Sequence, residues 1–164
     1  YFFFNWLFIY LVDNRGFKVL ESGFYSAAPW VTGAVGAVIG GLACDRLSKT
    51  KGLRFGCRAP GMVGLGLSGL LLLAAANAAS PVVCVVLLSL CLACQQAAEG
   101  AFWAATIGVA GKHTSSACGV LNTGGNVVGG IGALMVPITV KFFGWPIALA
   151  AGTVFALVGA LLAF

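Results

Sequence analysis

The stretch PVVCVVLLSLCLACQQAAEGAFWAA, from Pro81 to Ala105, is apolar over almost its whole length and contains one charged residue, Glu99. A helix needs about 20 residues to cross a hydrocarbon layer of ~30 Å, and this stretch is longer than that. Comparable apolar segments lie at 23–43, 59–76, 116–140 and 146–164, and a shorter one lies at 1–11. The sequence therefore predicts an all-α bundle of transmembrane helices, with five full spans and one partial span.

The composition of the whole chain points to the same class of protein. Of its 164 residues, 60% are hydrophobic and 8% are charged, and the mean hydropathy is +1.04. Soluble domains carry about 25% charged residues. We therefore expect a multi-pass membrane protein, with the lipid bilayer as its surroundings. The first segment is short and the last reaches Phe164 without a polar exit, so we also expect the chain to be part of a longer protein.

The basic residues are concentrated between positions 44 and 58, where a single acid, Asp45, accompanies them. They are Arg46, Lys49, Lys51, Arg54 and Arg58. Loops rich in Lys and Arg stay on the cytoplasmic side of a membrane, so loop 44–58 is predicted to be cytoplasmic. This topological role explains the positive charge, so the sequence alone favours neither nucleic-acid binding nor contact with anionic lipids.

The six cysteines and the single histidine do not indicate catalysis or metal binding. Four of the cysteines fall within predicted spans, where reduced thiols act as small apolar residues. Cys91 and Cys94 form a C-x-x-C pair, but no second pair and no histidine accompanies it. We find no metal-ligand cluster and no pair of nucleophile and base, so the sequence predicts neither an enzyme nor a cofactor.

The spans differ in character, and the differences repeat along the chain. The first and fourth segments mix polar and aromatic residues, the second and fifth are rich in glycine, and the third and sixth are almost free of polar side chains. Helices like the third and sixth can face lipid all round. Because three spans is an odd number, the second group must enter the membrane from the opposite side. Inverted repeats of this kind are typical of secondary transporters, and a structural or receptor module fits the pattern less well.

The two glycine-rich segments each contain a G-x-x-x-G pattern, which lets helices approach closely. The first pattern is Gly36 with Gly40, and the second is Gly125 with Gly129. Asn126 lies within the second pattern, where an amide can form hydrogen bonds between helices. We therefore assign these five residues to helix packing.

Gln96, Glu99 and Trp103 share one face of the span at 81–105, since they are related by i, i+3 and i+7. An ionised carboxylate in hydrocarbon costs roughly 2.5 to 3.5 kcal/mol on insertion scales, so Glu99 should face protein or a water-filled cavity. Three roles stay open for it. Glu99 could carry a coupling proton, accept hydrogen bonds from substrate hydroxyls, or pair with a group on another helix.

The segment GLACDRLSK, from Gly41 to Lys49, resembles the G-x-x-x-D-R-x-x-[RK] loop signature of the major facilitator superfamily. The resemblance implies that residues 1–164 form the C-terminal half of a transporter, from a partial helix 7 to helix 12. An N-terminal six-helix half would then be its partner. It also implies a gating role at the cytoplasmic side for four residues, namely Gly41, Asp45, Arg46 and Lys49.

A narrower resemblance covers nearly the whole chain. The segments YFFFNWLFIYL, SGFYSAAPWVTGAVGAVIGG and GVLNTGGNVVGG are similar to the anion:cation symporter family, which transports sugar acids and related carboxylates. The resemblance implies that a small organic anion moves with a proton or another cation, and that Trp103 and Asn122 approach this substrate. The bacterial members of the family also imply a bacterial inner (plasma) membrane as the location. Asn5, on the first helix, is a weaker substrate-binding candidate. Many relatives carry a proline in that helix where this chain has none.

Within transport, one alternative stays open. Glu99 could attract a cation, so a proton-coupled exporter of drugs or other solutes from the same superfamily is the second reading of the sequence.

Overall fold

The computed structural model describes residues 1–162, which form a helical bundle without strands in that range. The helices are α1 (Phe2–Asn5), α2 (Leu7–Asp13), α3 (Val19–Lys51), α4 (Leu53–Ala76), α5 (Pro81–Ala110) and α6 (Thr114–Leu162). A short 3-10 turn, Gly111–His113, joins α5 to α6. The stretches Val19–Lys51, Leu53–Ala76 and Pro81–Leu162 are long and apolar enough to cross a membrane. The predicted all-α membrane bundle is confirmed.

The segment predicted as loop 44–58 is almost entirely helical. Helix α3 continues to Lys51 and α4 begins at Leu53, so only Gly52 lies between them. Gly52 has a φ of +85°, a conformation that costs glycine little and other residues much more. The charged residues at the end of α3 do not interrupt the helix, which continues to Lys51 and ends at Gly52. The hydropathy pattern therefore located the change of environment rather than the end of the helix.

Helix α6 contains both of the last two predicted spans. Gly144, whose φ of 81° and ψ of 171° are not helical, interrupts it and separates two helical arms, and Pro146 lies two residues further along the chain. We call residues 114–143 the first arm of α6 and residues 145–162 its second arm. The predicted span at 146–164 corresponds to the second arm, and its last two positions lie outside the described residues.

Helix α5 lies at the centre of the bundle and contacts both α3 and α4. A Cβ added at Gly36 would lie 2.7 Å from the carbonyl carbon of Ala93, and one at Gly40 would lie 2.7 Å from that of Ala97. Both distances are shorter than real Cβ atoms show, so α3 and α5 touch backbone to backbone. Close approach of this kind is what small residues allow in membrane bundles.

Helix α4 also packs closely, although its apolar sequence predicted a helix that faces lipid all round. Its small residues Gly61, Gly64, Ser68 and Gly69 are buried. Gly64 faces Cys94 and Ala98 of α5, and Gly69 faces the second arm of α6. The prediction was wrong because hydropathy does not distinguish a helix surface of small residues that packs against other helices from a surface that faces lipid.

The first arm of α6 is the most exposed part of the bundle. Nearly every residue between 119 and 128 is exposed. A Cβ at Gly125 would meet nothing within 4 Å, whereas Gly129 lies under the ring of Tyr1. The second G-x-x-x-G pattern therefore does not pack along another described helix in the way that the first one does.

Helices α1 and α2 are interrupted at Trp6, whose φ and ψ are −124° and −14°. The indole Nε1 of Trp6 donates a hydrogen bond of 3.0 Å to the carbonyl oxygen of Ala133, on the first arm of α6. The interruption occurs without a proline, and it coincides with the residue that ties this helix to α6.

Arg15, just after α2, connects two parts of the bundle. Its Nε donates a hydrogen bond of 2.7 Å to the hydroxyl of Tyr10, and its Nη1 and Nη2 donate bonds of 2.6 and 2.7 Å to the carbonyl oxygens of Ala78 and Ala75. The last carbonyl groups of a helix have no partner within the helix. The Arg15 guanidinium therefore caps the end of α4 and joins it to α2.

We predict that Arg15→Lys destabilises the protein almost as much as Arg15→Gln. An ammonium group cannot reach three separated acceptors, whereas a planar guanidinium can. Hydrogen bonds to charged groups contribute about 1.5 kcal/mol or more each, so the unfolding temperature in detergent should fall in both variants. Lys112→Gln, which removes an exposed charge elsewhere, is the control. Wild-type stability of Arg15→Lys would contradict the capping role.

Candidate functional site

An open cavity of about 240 Å³ lies where α1, α5 and the first arm of α6 come together. Its walls combine aromatic, amide and carboxylate side chains with one glycine. The lining residues are Tyr1, Glu99, Phe102, Trp103, Leu121, Asn122, Gly125 and Asn126. Tyr1, at the start of α1, therefore joins two consecutive helices, α5 and α6, in one polar and aromatic cavity.

Hydrogen bonds order the amide wall of the cavity. The Tyr1 hydroxyl donates to Oδ1 of Asn126. The Asn126 Nδ2 in turn donates to the main-chain oxygen of Asn122 at 2.8 Å and to its Oδ1 at 3.0 Å. These bonds use the oxygens of Asn122 as acceptors. The two N–H groups of the Asn122 side chain are thus left to donate to a molecule in the cavity.

Glu99 and Trp103 form the opposite wall, one turn apart on α5. The indole Nε1 of Trp103 lies 3.5 Å from Oε1 of Glu99, which makes a long hydrogen bond at best. Glu99 is exposed and Trp103 is half-buried. Glu99 is also the only charged residue among the described residues that line the cavity. The carboxylate therefore faces open space, where water or a ligand can solvate it.

Comparison with known proteins shows that the chain is similar to transporters. No protein-family model matches the chain. It is 34% identical over 126 residues to a probable sulfoacetate transporter of Cupriavidus necator, an alignment that covers 76% of this chain and 29% of the relative. It is also 41% identical over 69 residues to a probable galactarate/D-glucarate transporter of Bacillus subtilis, covering 42% of this chain and 15% of the relative.

The chain is related to the anion transporters of the major facilitator superfamily. A further relative, a probable galactarate/D-glucarate transporter of Escherichia coli, is 28% identical over 144 residues, which is 87% of this chain and 31% of that protein. The chain thus spans less than a third of the length of each of these relatives. The predicted resemblance to this family is confirmed. The prediction of a multi-pass membrane protein is also confirmed, and a bacterial inner membrane fits the bacterial relatives.

Five residues of this chain were predicted to bind a substrate. Three of them line the cavity, namely Glu99, Trp103 and Asn122. The structure does not bring Asn5 and Gln96 there. The side chain of Asn5 donates to the main-chain oxygen of Tyr1 at 3.0 Å. Gln96 lies against α3, with its Cγ 3.4 Å from the position of a Cβ at Gly33. The polar face of α5 is therefore divided between the cavity and the contact with α3.

Asn126, predicted to act in helix packing, also lines the cavity and links Tyr1 to Asn122 by hydrogen bonds. Its i, i+4 relation to Asn122 places both amides on one face of α6, so this part of the site was visible in the sequence. Phe102 and Leu121 complete the lining, and nothing in the pattern distinguished them from ordinary apolar residues.

The four predicted gating residues lie on the last turns of α3. Asp45, Arg46 and Lys49 are exposed. A Cβ at Gly41 would meet nothing within 4 Å, so the close approach to α5 occurs at Gly40 and not at Gly41. The gating role of these four residues stays a prediction.

The cysteines and acidic residues do not form a metal site in the described part of the chain. Residues 1–162 contain no group of three or more His, Cys, Asp or Glu side chains that could hold a metal ion. All six cysteines are free. Cys44 and Cys57 come nearest to each other, with their Sγ atoms 3.6 Å apart between α3 and α4.

Proposed function

We propose that the chain is the C-terminal half of a secondary transporter that moves a small organic anion by proton-coupled symport. The observation that supports this most is the cavity, in which the free amide donors of Asn122 and the carboxylate of Glu99 face the same space. Transporters of this group are related to this chain, and their names specify organic anions.

The names of the relatives suggest which anions to consider. Sulfoacetate carries a sulfonate and a carboxylate, whereas galactarate and D-glucarate carry two carboxylates and several hydroxyl groups. The N–H groups of Asn122 suit a carboxylate or sulfonate oxygen, and Trp103 offers an apolar ring and a further donor. Glu99 could accept hydrogen bonds from hydroxyl groups, which only the sugar acids have.

The cavity holds only part of the chemistry that a dianion needs. None of the described residues that line it is basic. Its volume of about 240 Å³ is also below the range of about 300 to 1,000 Å³ that is usual for small-molecule sites. We infer that arginine or lysine side chains of an N-terminal half supply the counter-charge and close the site.

The exposed first arm of α6 is the surface that we assign to this N-terminal half. Asn122, Thr123, Gly124 and Gly125 are exposed there, and polar or small residues of this kind are typical of contacts between helices rather than of lipid-facing surfaces. Rocking of one half against the other would then open the cavity to each side of the membrane in turn. Asp45, Arg46 and Lys49 would lie at the predicted cytoplasmic end of that movement.

In this transport cycle, Glu99 is the residue that would bind the coupling proton. A carboxylate repels an anionic substrate while it is ionised, and protonation removes the repulsion. Proton entry and anion entry would therefore favour each other. The same carboxylate would attract a cation, which is why a proton-coupled exporter of cationic drugs is the second candidate function.

Counterflow in proteoliposomes that contain the complete transporter separates the two candidates. Vesicles loaded with sulfoacetate, galactarate or D-glucarate should take up the same labelled anion faster than empty vesicles do. Transport restricted to a lipophilic cation such as tetraphenylphosphonium would reject the anion transporter in favour of the exporter.

In the same assay, Asn122→Ala should raise the half-saturating concentration of the anion by about tenfold or more. A hydrogen bond to a charged group is worth about 1.5 to 3 kcal/mol, and 1.4 kcal/mol corresponds to a factor of ten. Thr123→Ala changes the adjacent exposed residue, which does not line the cavity, and should leave this concentration unchanged. Equal effects of the two substitutions would exclude a direct contact at Asn122.

A further inference from the structure

A second cavity, of about 350 Å³, lies where α3 ends and α4 begins. Half of its lining residues are basic and half are apolar. They are Lys51, Arg54 and Arg58, with Phe55, Ala59 and Met62. None of the described residues that line it is acidic, so the cavity presents positive charge that its own walls do not neutralise.

The three basic side chains line the same cavity, where they are available to one anion. Arg54 and Arg58 are one turn apart on the same face of α4, and a guanidinium binds phosphate oxygens through two parallel N–H bonds. The Nζ of Lys51 lies 4.8 Å from the centre of the Phe55 ring, a cation–π contact that holds the ammonium group beside the arginines.

The cavity also lies at the depth of the lipid headgroups. Helix α4 has 24 residues, which makes it about 36 Å long at 1.5 Å per residue. The hydrocarbon layer is ~30 Å thick, so about one turn of α4 extends beyond it. Arg54 lies in the first turn and Arg58 lies one turn further on, from where its long side chain can reach the headgroup region, and Met62 lies within the apolar region.

An apolar track continues from the cavity along α4. Met62, Gly66 and Leu70 follow Arg58 at intervals of four residues, which places them on one face of the helix. A Cβ at Gly66 would meet nothing within 4 Å, and 56% of the surface of Leu70 is exposed. The track is therefore open, with a gap at Gly66 that could admit a hydrocarbon chain.

We propose that this cavity binds the phosphate group of an anionic phospholipid, with one acyl chain lying along the apolar track. The basic half of the lining suits the phosphate, and the apolar half together with the track favours a lipid over a free phosphate ion. This site is separate from the cavity at Glu99 and does not depend on which solute is transported.

Native mass spectrometry of the delipidated full-length protein tests the proposal by titration with phosphatidylglycerol and with phosphatidylcholine of the same chain length. Phosphatidylglycerol should bind more tightly, and the double variant Arg54→Gln/Arg58→Gln should weaken its binding by about tenfold or more. Arg46→Gln/Lys49→Gln removes the same charge from exposed positions outside the cavity and should retain the binding. Equal losses in the two double variants would reveal general surface attraction and overturn the proposed site.

Two further experiments test the source of the phosphate group and the role of the apolar track. Inorganic phosphate, added at the concentration of the lipid, should not displace phosphatidylglycerol, and full displacement would identify a free anion as the ligand and overturn the lipid site. Gly66→Leu fills the gap without removing charge, so it should weaken phosphatidylglycerol binding while the unfolding temperature stays near that of the wild type. Undiminished lipid binding by this variant would contradict the acyl-chain track.

Discussion

Replacing Glu99 by Gln is expected to abolish proton-driven accumulation of the anion, while exchange of the same anion across the membrane continues. Glutamine resembles the protonated form of Glu99 in shape and charge, so the anion can still enter the cavity. A coupling proton can no longer be bound and released there. In the wild type, a pH gradient of one unit stores about 1.4 kcal/mol per proton, which supports about tenfold accumulation.

The measurement uses proteoliposomes of the complete transporter with an imposed pH gradient, and it compares net uptake with counterflow. Asp13→Asn removes an exposed carboxylate at the end of α2, away from the cavity, and should preserve both activities. Accumulation that persists in Glu99→Gln would exclude Glu99 as the essential proton site.

The two other roles of Glu99 give different results in the same assay. If Glu99 accepts hydrogen bonds from substrate hydroxyls, Glu99→Gln should impair exchange of galactarate and D-glucarate but spare sulfoacetate, which has no hydroxyl group. If Glu99 only holds another helix in place, every anion should be affected and the unfolding temperature should fall. The exposed position of Glu99 and its long 3.5 Å contact with Trp103 argue against this structural role.

The sequence predicted the class of fold because hydropathy reports directly on the environment of a helix. It predicted the ends of the helices poorly, since residues 44–51 leave the apolar layer and still remain helical up to Gly52. The boundary between the last two spans was predicted well, because Gly144, with a φ of 81°, and Pro146 interrupt the helix there. A change of environment and a change of backbone conformation are separate events, and composition reports only the first.

The candidate site was predictable only where its residues lie close in sequence. Glu99 and Trp103 on α5, and Asn122 and Asn126 on α6, share helix faces through i, i+4 spacing. The contact of Tyr1 with Asn126 joins residues 125 positions apart, and no periodicity in a single sequence encodes such a pair. The same reason explains why Gln96 was placed in the site, because its actual neighbour is Gly33 of α3.

Gly40→Ala is expected to destabilise the bundle at the contact between α3 and α5, whereas Gly41→Ala is not. A Cβ at Gly40 would overlap the main chain of Ala97, which cannot turn aside as a flexible side chain can. Overpacking of this kind costs roughly 1 to 3 kcal/mol, and Gly40→Leu should prevent folding. At Gly41 the added methyl meets open space and favours the helix, because alanine is a better helix former than glycine.

Unfolding temperatures of the purified protein in detergent provide the measurement, and the two neighbouring glycines should shift them in opposite directions. A compensating substitution sharpens the test. Ala97→Gly removes the only side-chain atom of Ala97, yet it should not rescue Gly40→Ala, because the overlap involves the main chain of Ala97. Full rescue would show that side chains set the distance between α3 and α5. Equal shifts at Gly40 and Gly41 would show that the register of this contact is wrong.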